Sequence, residues 1–148
     1  MTERYKRPES VLVVVHTTAL EVLLLERADH PGYWQSVTGS LEAGERTVDA
    51  ARRELHEETG LEAGRLLDWE MESEYVIYPE WRHRYAPGVT RNLEHVFGFR
   101  LDGPSSVTLS PREHLRYVWL PYQDAASKVF SSSNASAIMK LPEMLNQE

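Results

Sequence analysis

The sequence predicts an α/β layered fold with a mixed sheet. Short runs of β-branched and aliphatic residues recur along the chain, a helical pattern with one apolar side stands among them, and further helical segments follow the last run. The 148 residues are enough for one domain with its own hydrophobic core, and neither a repeat nor an obvious linker divides them. We therefore expect a single domain over residues 1–148.

Three strands are expected in the first part of the chain. Residues 10–17 (SVLVVVHT) and 21–27 (EVLLLER) are rich in Val and Leu. The first run is apolar at almost every position, which is typical of a strand buried on both faces. A loop that contains Pro31 and Gly32 follows, and a short strand is expected around residues 34–38.

A helix is expected over residues 47–59. Its apolar side would carry Val48, Ala51, Leu55 and Thr59, which recur at helical spacing. Gly60 follows, and glycine is favoured just past the end of a helix.

The second half should complete the sheet and add helices. Strands are expected over residues 66–78, 93–101 and 115–120. A long polar and aromatic loop, PEWRHRYAPGVTRN, separates the first two, and loops of this length are usually functional or mobile. Helices are expected over residues 124–128 and 134–145, and Pro142 should end or bend the second.

Composition excludes several classes of protein. The formal net charge of −7 argues against a general binder of nucleic acid or acidic membranes, and the absence of cysteine excludes disulfides and thiolate metal sites. The charged start, MTERYKRPES, has no apolar signal region, and no apolar run is long enough to span a membrane. We expect a cytoplasmic protein of unknown oligomeric state.

Three carboxylates in the segment GSLEAGERTVDAARRELHEETGL indicate a metal site. Glu54, Glu57 and Glu58 are three or four residues apart, so on a helix they share one face and repel one another. A bound cation relieves this repulsion, and oxygen ligands without nearby Cys or His select Mg²⁺, with Mn²⁺ as a plausible substitute. A solvated glutamate-rich helix would explain a bare Glu–Glu pair, but it leaves the surrounding pattern unexplained.

The neighbours of these carboxylates have supporting roles in this interpretation. Arg53 lies four residues before Glu57 and can hold the orientation of that carboxylate. Gly39 and Gly44 allow the preceding loop to turn tightly. Glu45 could cap the helix or support the metal ligands.

The whole segment resembles the signature box of the Nudix hydrolase family at each of its nine defining positions, from Gly39 to Leu61. The resemblance implies an α/β/α sandwich in which the box forms a loop–helix–loop. It also implies metal-dependent hydrolysis of a phosphoanhydride, with Glu54, Glu57 and Glu58 as metal ligands. A water molecule would attack phosphorus, and its proton acceptor would be a box glutamate or a carboxylate on a distant loop. Glu113 is the loop candidate and His114 beside it a weaker one.

Four segments narrow the resemblance to one subfamily. YKRPESVLVVV, WQSVTGSLEAGE, RHRYAPGVTRN and EHLRYVWL are similar to bacterial dihydroneopterin triphosphate pyrophosphatases, which release pyrophosphate in early folate biosynthesis. This similarity implies that Glu54, Glu58 and Glu113 are metal ligands, although Glu113 alone could be a solvated loop charge. It also implies that a triphosphate substrate contacts eight residues: Lys6, Arg27, Thr38, Tyr75, Val76, Ile77, Tyr78 and Ser131.

Two other functions remain open from the sequence. A Nudix enzyme acting on nucleoside or deoxynucleoside triphosphates would use the same metal chemistry, and only the base pocket would differ. A ligand-binding regulator that has lost catalysis typically lacks box glutamates, whereas this box is intact. Residues 75–78 are also ordinary strand residues, and the serine run around Ser131 matches the subfamily only loosely.

Overall fold

A computed structural model describes residues 5–147 as a mixed β-sheet covered by helices. Residues 1–4 and 148 of the expected domain lie outside the described residues. In the described chain the strands are β1 (Glu9–Thr17), β2 (Glu21–Arg27), β3 (Trp34–Gln35), β4 (Val37–Ser40), β5 (Arg65–Val76), β6 (Arg91–Leu101) and β7 (His114–Pro121). The helices are α1 (Thr47–Thr59), α2 (Tyr122–Lys128), α3 (Ser132–Met139) and α4 (Leu141–Asn146), and Pro79–Arg84 forms a 3₁₀ helix.

Strand β1 is the centre of the sheet. It runs parallel to β6 along its whole length, and it pairs antiparallel with β4 near its start and with β2 near its end. Strand β5 lies outside β6, and β2 also pairs with β3 and β7. The two ends of β1 therefore have different neighbours, and β4 brings the segment that precedes α1 against the start of β1.

Both faces of the sheet are covered, as the apolar pattern of β1 predicts. Val11, Val13 and Val15 pack with Ala51 and Leu55 of α1 on one face. The alternate residues of β1, such as Leu12 and Val14, point to the other face. There they pack with Ile138 and Leu141 of α3 and α4. The α/β/α sandwich expected from the resemblance is confirmed.

Helix α1 has the predicted bounds, Thr47–Thr59. Gly60 follows it at φ +72°, and its N–H donates to the His56 carbonyl at 2.9 Å, which closes the last turn. No side chain caps the other end, where Arg46 precedes the first turn. Glu45 therefore does not cap the helix.

Two expected elements are interrupted. The strand expected over residues 34–38 divides into β3 and β4 at Ser36, because β3 pairs with β2 and β4 pairs with β1. The Asn134 Oδ1 atom accepts from the Ser36 N–H at 2.8 Å, and its Nδ2 donates to Ser36 Oγ at 2.9 Å. The helix expected over residues 134–145 ends at Met139, and Pro142 lies in the first turn of the separate helix α4, where its missing N–H breaks no hydrogen bond.

The loop predicted for PEWRHRYAPGVTRN has the wrong bounds at both ends. Its first six residues form the 3₁₀ helix Pro79–Arg84, and Arg91 and Asn92 already belong to β6. Helical periodicity cannot reveal a helix of six residues, because it allows barely two turns.

Candidate active site

Gly39 brings the backbone of β4 into contact with the Glu54 carboxyl group of α1. A Cβ atom at position 39 would overlap that carboxyl group, so a larger residue there would force the Glu54 side chain to move. Gly44, in the loop that leads to α1, has φ +74°, a conformation that favours glycine. The glycines of the box therefore place the helix carboxylates close to the sheet.

Arg53 organises the carboxylates of the box. Its Nε and Nη2 atoms each donate to Glu45 at 2.9 Å, Nη2 also donates to the Ser40 carbonyl, and Nη1 donates to Glu54 Oε1 at 2.5 Å. The hydrogen bond from Arg53 lowers the pKa of Glu45 to about 2. The expected pairing of Arg53 with Glu57 is present but longer, at 3.5 Å. Arg53 therefore orients Glu54 more directly than Glu57, and Glu45 holds Arg53.

The three box carboxylates lie on one helix but differ in their exposure to water. Glu54 and Glu58 are buried, whereas the Glu57 side chain is 51% exposed. Glu58 Oε1 has no hydrogen-bond partner in residues 5–147 and lies 3.7 Å from His114 Nε2. Burial first, and then the neighbouring Glu54 and Glu113, hold the pKa of Glu58 well above its usual value.

Glu113 reaches the same region from the turn that precedes β7. Its pKa is raised by loss of surrounding water and then by the charges of Glu54 and Glu57. It therefore lies near the helix carboxylates despite its distance along the chain. The adjacent His114 is 4% exposed, and burial lowers its pKa to about 4, so its imidazole is neutral at pH 7.

These carboxylates fit a divalent cation. No group of three or more His, Asp or Glu side chains in the described chain already surrounds a common point closely enough to hold a metal. Even so, Glu54, Glu58 and Glu113 repel one another, and a buried oxygen of Glu58 lacks a donor. A hard cation would relieve both, and oxygen ligands are the ones it prefers.

A cavity of about 670 Å³ joins these carboxylates to a second group of residues. It is lined by Glu54, Glu58 and Glu113, but not by Glu57. All eight residues expected to contact substrate also line it: Lys6, Arg27, Thr38, Tyr75, Val76, Ile77, Tyr78 and Ser131. The fold therefore brings together residues from positions 6 to 131, and their individual roles remain predictions.

Lys6, Arg27 and Arg84 form a positively charged part of the cavity wall. Arg27 donates two hydrogen bonds of 2.7 Å to Asp29, which also accepts from Arg84 at 3.2 Å and from the Trp81 indole at 3.2 Å. These contacts, led by the one from Arg27, lower the pKa of Asp29 to about 2. Lys6 is partly exposed, and its pKa is lowered by desolvation and then by the charges of Arg84 and Arg27. An anionic phosphate chain would offset this clustering of positive charge.

Two of the expected substrate contacts also have partners within the protein. Thr38 Oγ1 donates to the Val11 carbonyl at 2.8 Å, so its hydroxyl proton is already used between β4 and β1. Ser131 caps α3, where its Oγ accepts from the Asn134 N–H at 3.4 Å. Both hydroxyl oxygens can still accept a hydrogen bond from a ligand.

Sequence reasoning did not assign several lining residues. Of the three arginines and His83 in RHRYAPGVTRN only Arg84 lines the cavity, and Arg82 instead donates to the Ile77 carbonyl at 3.1 Å. Trp81 and Phe130 form an aromatic wall with Tyr78, with ring centroids 5.6 to 5.8 Å apart. Tyr78 and Trp81 are close in sequence and could have been noticed together. Nothing in the sequence connects them to Phe130.

The comparisons with known proteins agree with this architecture. A model of the NUDIX domain matches residues 6–141. This chain belongs to the Nudix family. As a Nudix hydrolase it acts on a small phosphate-bearing molecule, and enzymes of the family generally use divalent metals.

Two relatives and one solved structure share the name of one activity. The chain is 45% identical to the dihydroneopterin triphosphate diphosphatase of Escherichia coli, covering 90% of this chain and 91% of that protein. It is 39% identical to the enzyme of the same name from Haemophilus influenzae, covering 93% and 89% of the two chains. The solved structure of the E. coli dihydroneopterin triphosphate pyrophosphohydrolase superposes with a TM-score of 0.88 at 43% identity, over 93% of this chain and 97% of that one.

A more distant solved structure shows the fold alone. The Ap4A hydrolase of Caenorhabditis elegans matches with a TM-score of 0.73 at 23% identity, over 95% and 98% of the two chains.

In the part of the Nudix chain that the structure describes, none of the helices has the length and apolar character needed to cross a membrane.

Proposed function

We propose that this Nudix hydrolase converts dihydroneopterin triphosphate to dihydroneopterin monophosphate and pyrophosphate, a step in folate biosynthesis. The cavity carries the proposal, because it places box carboxylates, a cluster of cations and an aromatic wall around one space. These groups suit a metal, a triphosphate chain and a planar ring respectively. The two named relatives, similar over about nine-tenths of this chain, support the same substrate.

Glu54, Glu58 and Glu113 are the proposed ligands of Mg²⁺, for which Mn²⁺ can substitute. When bound, the metal stabilises negative charge on the phosphate oxygens and the leaving group. Glu57 is assigned as a further ligand at the exposed edge of the site. Arg53 keeps Glu54 in place through the bonds to Glu45 and Ser40.

The other residues bind the substrate or accept the proton of the attacking water. Lys6 and Arg27, with Arg84, bind phosphate oxygens, while Tyr78 and Trp81 face the ring. The attacking water must lose a proton to a base within hydrogen-bond reach. Glu54 is tied to Arg53 and Glu58 is enclosed, so one of the two carboxylates with access to water, Glu57 or Glu113, is assigned this step.

The remaining proposed substrate contacts are assigned because these residues line the cavity. Thr38, Ser131 and the segment from Tyr75 to Tyr78 line the same cavity, and we assign them to the heterocycle of the substrate. Nucleoside triphosphates share the phosphate chain but carry a different heterocycle on a sugar, so they should be slower side substrates. A site that hydrogen-bonds one polar pattern discriminates strongly against a ring that leaves its groups unpaired.

A turnover screen tests the proposal. The purified protein is assayed with Mg²⁺ against dihydroneopterin triphosphate and the common nucleoside triphosphates, and pyrophosphate release is distinguished from phosphate release. We expect the highest kcat/KM for dihydroneopterin triphosphate, release of pyrophosphate, and loss of turnover in EDTA that Mg²⁺ restores. A higher kcat/KM for dATP or another nucleotide would contradict the assigned substrate.

A further inference from the structure

Glu94 is a buried carboxyl group that the proposed chemistry does not use. It lies on β6, between the buried residues Asn92 and Val96, and is 4% exposed. These positions alternate along the strand, so all three side chains point to the face of the sheet that α3 covers. Glu94 also lines the large cavity, from a different element than the box carboxylates.

The hydrogen-bonding capacity of Glu94 is only partly used. The hydroxyl groups of Ser133 and Ser73 lie near its carboxyl group and favour its charged form. Within residues 5–147, its Oε1 atom has no hydrogen-bond partner, and no Lys, Arg or His side chain forms an ion pair with it. Burial raises its pKa to about 7. A buried carboxyl group without sufficient donors destabilises a protein, so its presence at a cavity points to donors supplied by a ligand.

A planar ring with two adjacent N–H donors would supply what is missing. Carboxylates accept such paired donors through both oxygens. The 2-amino-4-oxo edge of a pterin presents a ring N–H beside an exocyclic NH₂, and guanine presents the same pair, whereas adenine does not. The aromatic wall formed by Tyr78, Trp81 and Phe130 lines the same cavity and offers faces on which such a ring can stack.

We propose that Glu94 recognises the 2-amino-4-oxo edge of the substrate's heterocycle by accepting hydrogen bonds from its two N–H donors. The inference rests on the proposed function for the identity of the ring, but guanine allows the edge itself to be tested separately. A purely structural Glu94, packed near Ser73 of β5 and Ser133 of α3, would be replaced adequately by glutamine. Glutamine instead places an NH₂ donor against the donors of the ring.

The Glu94→Gln variant distinguishes these roles when kcat/KM is measured for dihydroneopterin triphosphate, GTP and ATP. We expect kcat/KM to fall about 100-fold for the first two, because a polar group is left unpaired, and the ratio of GTP to ATP turnover to fall with it. Glu74→Gln is the matched control, since Glu74 is exposed on the adjacent strand and does not line this cavity. Its ratio of GTP to ATP turnover should equal that of the wild type.

A binding measurement separates recognition from catalysis. Neopterin, which carries no phosphate, is titrated by its fluorescence in EDTA, and Glu94→Gln should weaken its binding about 100-fold as well. Glu94→Asp keeps a carboxylate but withdraws it by one methylene, so its GTP to ATP ratio should lie between those of the wild type and Glu94→Gln. Equal losses for all three substrates, or an unchanged ratio in both variants, would overturn the proposal.

The outcome also distinguishes failure of this inference from failure of the proposed function. A wild-type enzyme that prefers a nucleotide over dihydroneopterin triphosphate contradicts the substrate assignment alone. If Glu94→Gln still lowers the GTP to ATP ratio in that case, the role of Glu94 is supported. If the pterin is preferred and the ratio is unchanged, the role of Glu94 is overturned and the substrate assignment stands.

Discussion

Burial separates the box carboxylates that the sequence groups together. Glu58 is 2% exposed and lacks a donor at Oε1, whereas Glu57 is about half exposed. Glu54 lies between these extremes, held by Arg53 against Gly39. Chemically identical side chains on one helix therefore differ in hydration, and we expect their substitutions to differ in effect.

Glu58→Gln should abolish turnover and leave the fold intact. Loss of a charged metal ligand is expected to lower kcat by at least about 1000-fold, because metal stabilisation of phosphate charge is worth several kcal/mol. In EDTA the melting temperature should not fall, since a neutral amide replaces a buried carboxyl group that is short of donors. Steady-state kinetics at saturating Mg²⁺ and circular dichroism are the measurements.

The exposed Glu62, which pairs with His56 at 3.0 Å, provides the control for this prediction. Glu62→Gln should retain wild-type kcat. Near-wild-type activity of folded Glu58→Gln would rule out the assigned role.

Glu113→Ala should lower activity at least about tenfold and raise the Mg²⁺ concentration for half-maximal rate, because it removes one proposed ligand. A solvated loop charge would instead change stability by less than about half a kcal/mol and leave the metal titration unaltered. Glu143→Ala on α4 is a control at a side chain that is 62% exposed. If the titration curves of Glu113→Ala and the wild type coincide, Glu113 is a loop charge.

At the scale of elements, two contacts position the site. Gly39 of β4 packs on Glu54 of α1, so the strand and the helix meet at a carboxylate. At the cavity wall, Asp29 in the loop after β2 accepts from Arg84 of the 3₁₀ helix and joins two loops that are far apart in sequence. The position of the cavity therefore depends on these contacts between elements.

Gly39→Ala tests the first of these contacts. Its methyl group would displace the Glu54 carboxyl group, and a shift of about 1 Å in an active-site group can cost about 100-fold in rate. We expect a folded protein with kcat/KM reduced by that order and a higher requirement for Mg²⁺. Gly103→Ala is the matched control, because a Cβ atom there meets nothing within 4 Å. Equal activity of the two variants would contradict this account of Gly39.

At the scale of the whole molecule, a central strand joins both layers. Strand β1 contributes Val11 and Val13 to the core under α1 and Leu12 and Val14 to the core under α3. Neither layer can lose its packing without exposing part of β1. We propose on this basis that residues 1–148 form one domain.

A single cooperative unfolding transition should follow. The four tryptophans report on different regions: Trp34 and Trp69 on the core beneath α3, Trp119 on the core beneath α1, and Trp81 on the cavity wall. Thermal unfolding followed by tryptophan fluorescence and by far-ultraviolet circular dichroism should therefore give coincident curves. Two separated transitions would show that the layers unfold independently.

The sequence by itself determined the elements whose signal is local. Helix α1 was predictable at both ends because its apolar side and Gly60 lie within one continuous segment. Strand β1 was predictable because its unbroken apolar run requires burial on both faces. The box was recognisable for the same reason, since its glycines, Arg53 and glutamates have defined spacings.

Only the tertiary structure decided which side chains share the cavity. Ser36 and Asn134 are 98 residues apart, yet hydrogen bonds join them at the point where an expected strand divides. Phe130 joins Tyr78 and Trp81, and Glu94 lies on a strand where alternation predicts burial but not the space that its carboxyl group faces. Periodicity reports which side of an element is buried, whereas the partner on that side depends on packing between distant segments. The physical reason is that chain spacing constrains neighbours within a few residues, while contacts across the sheet depend on the whole fold.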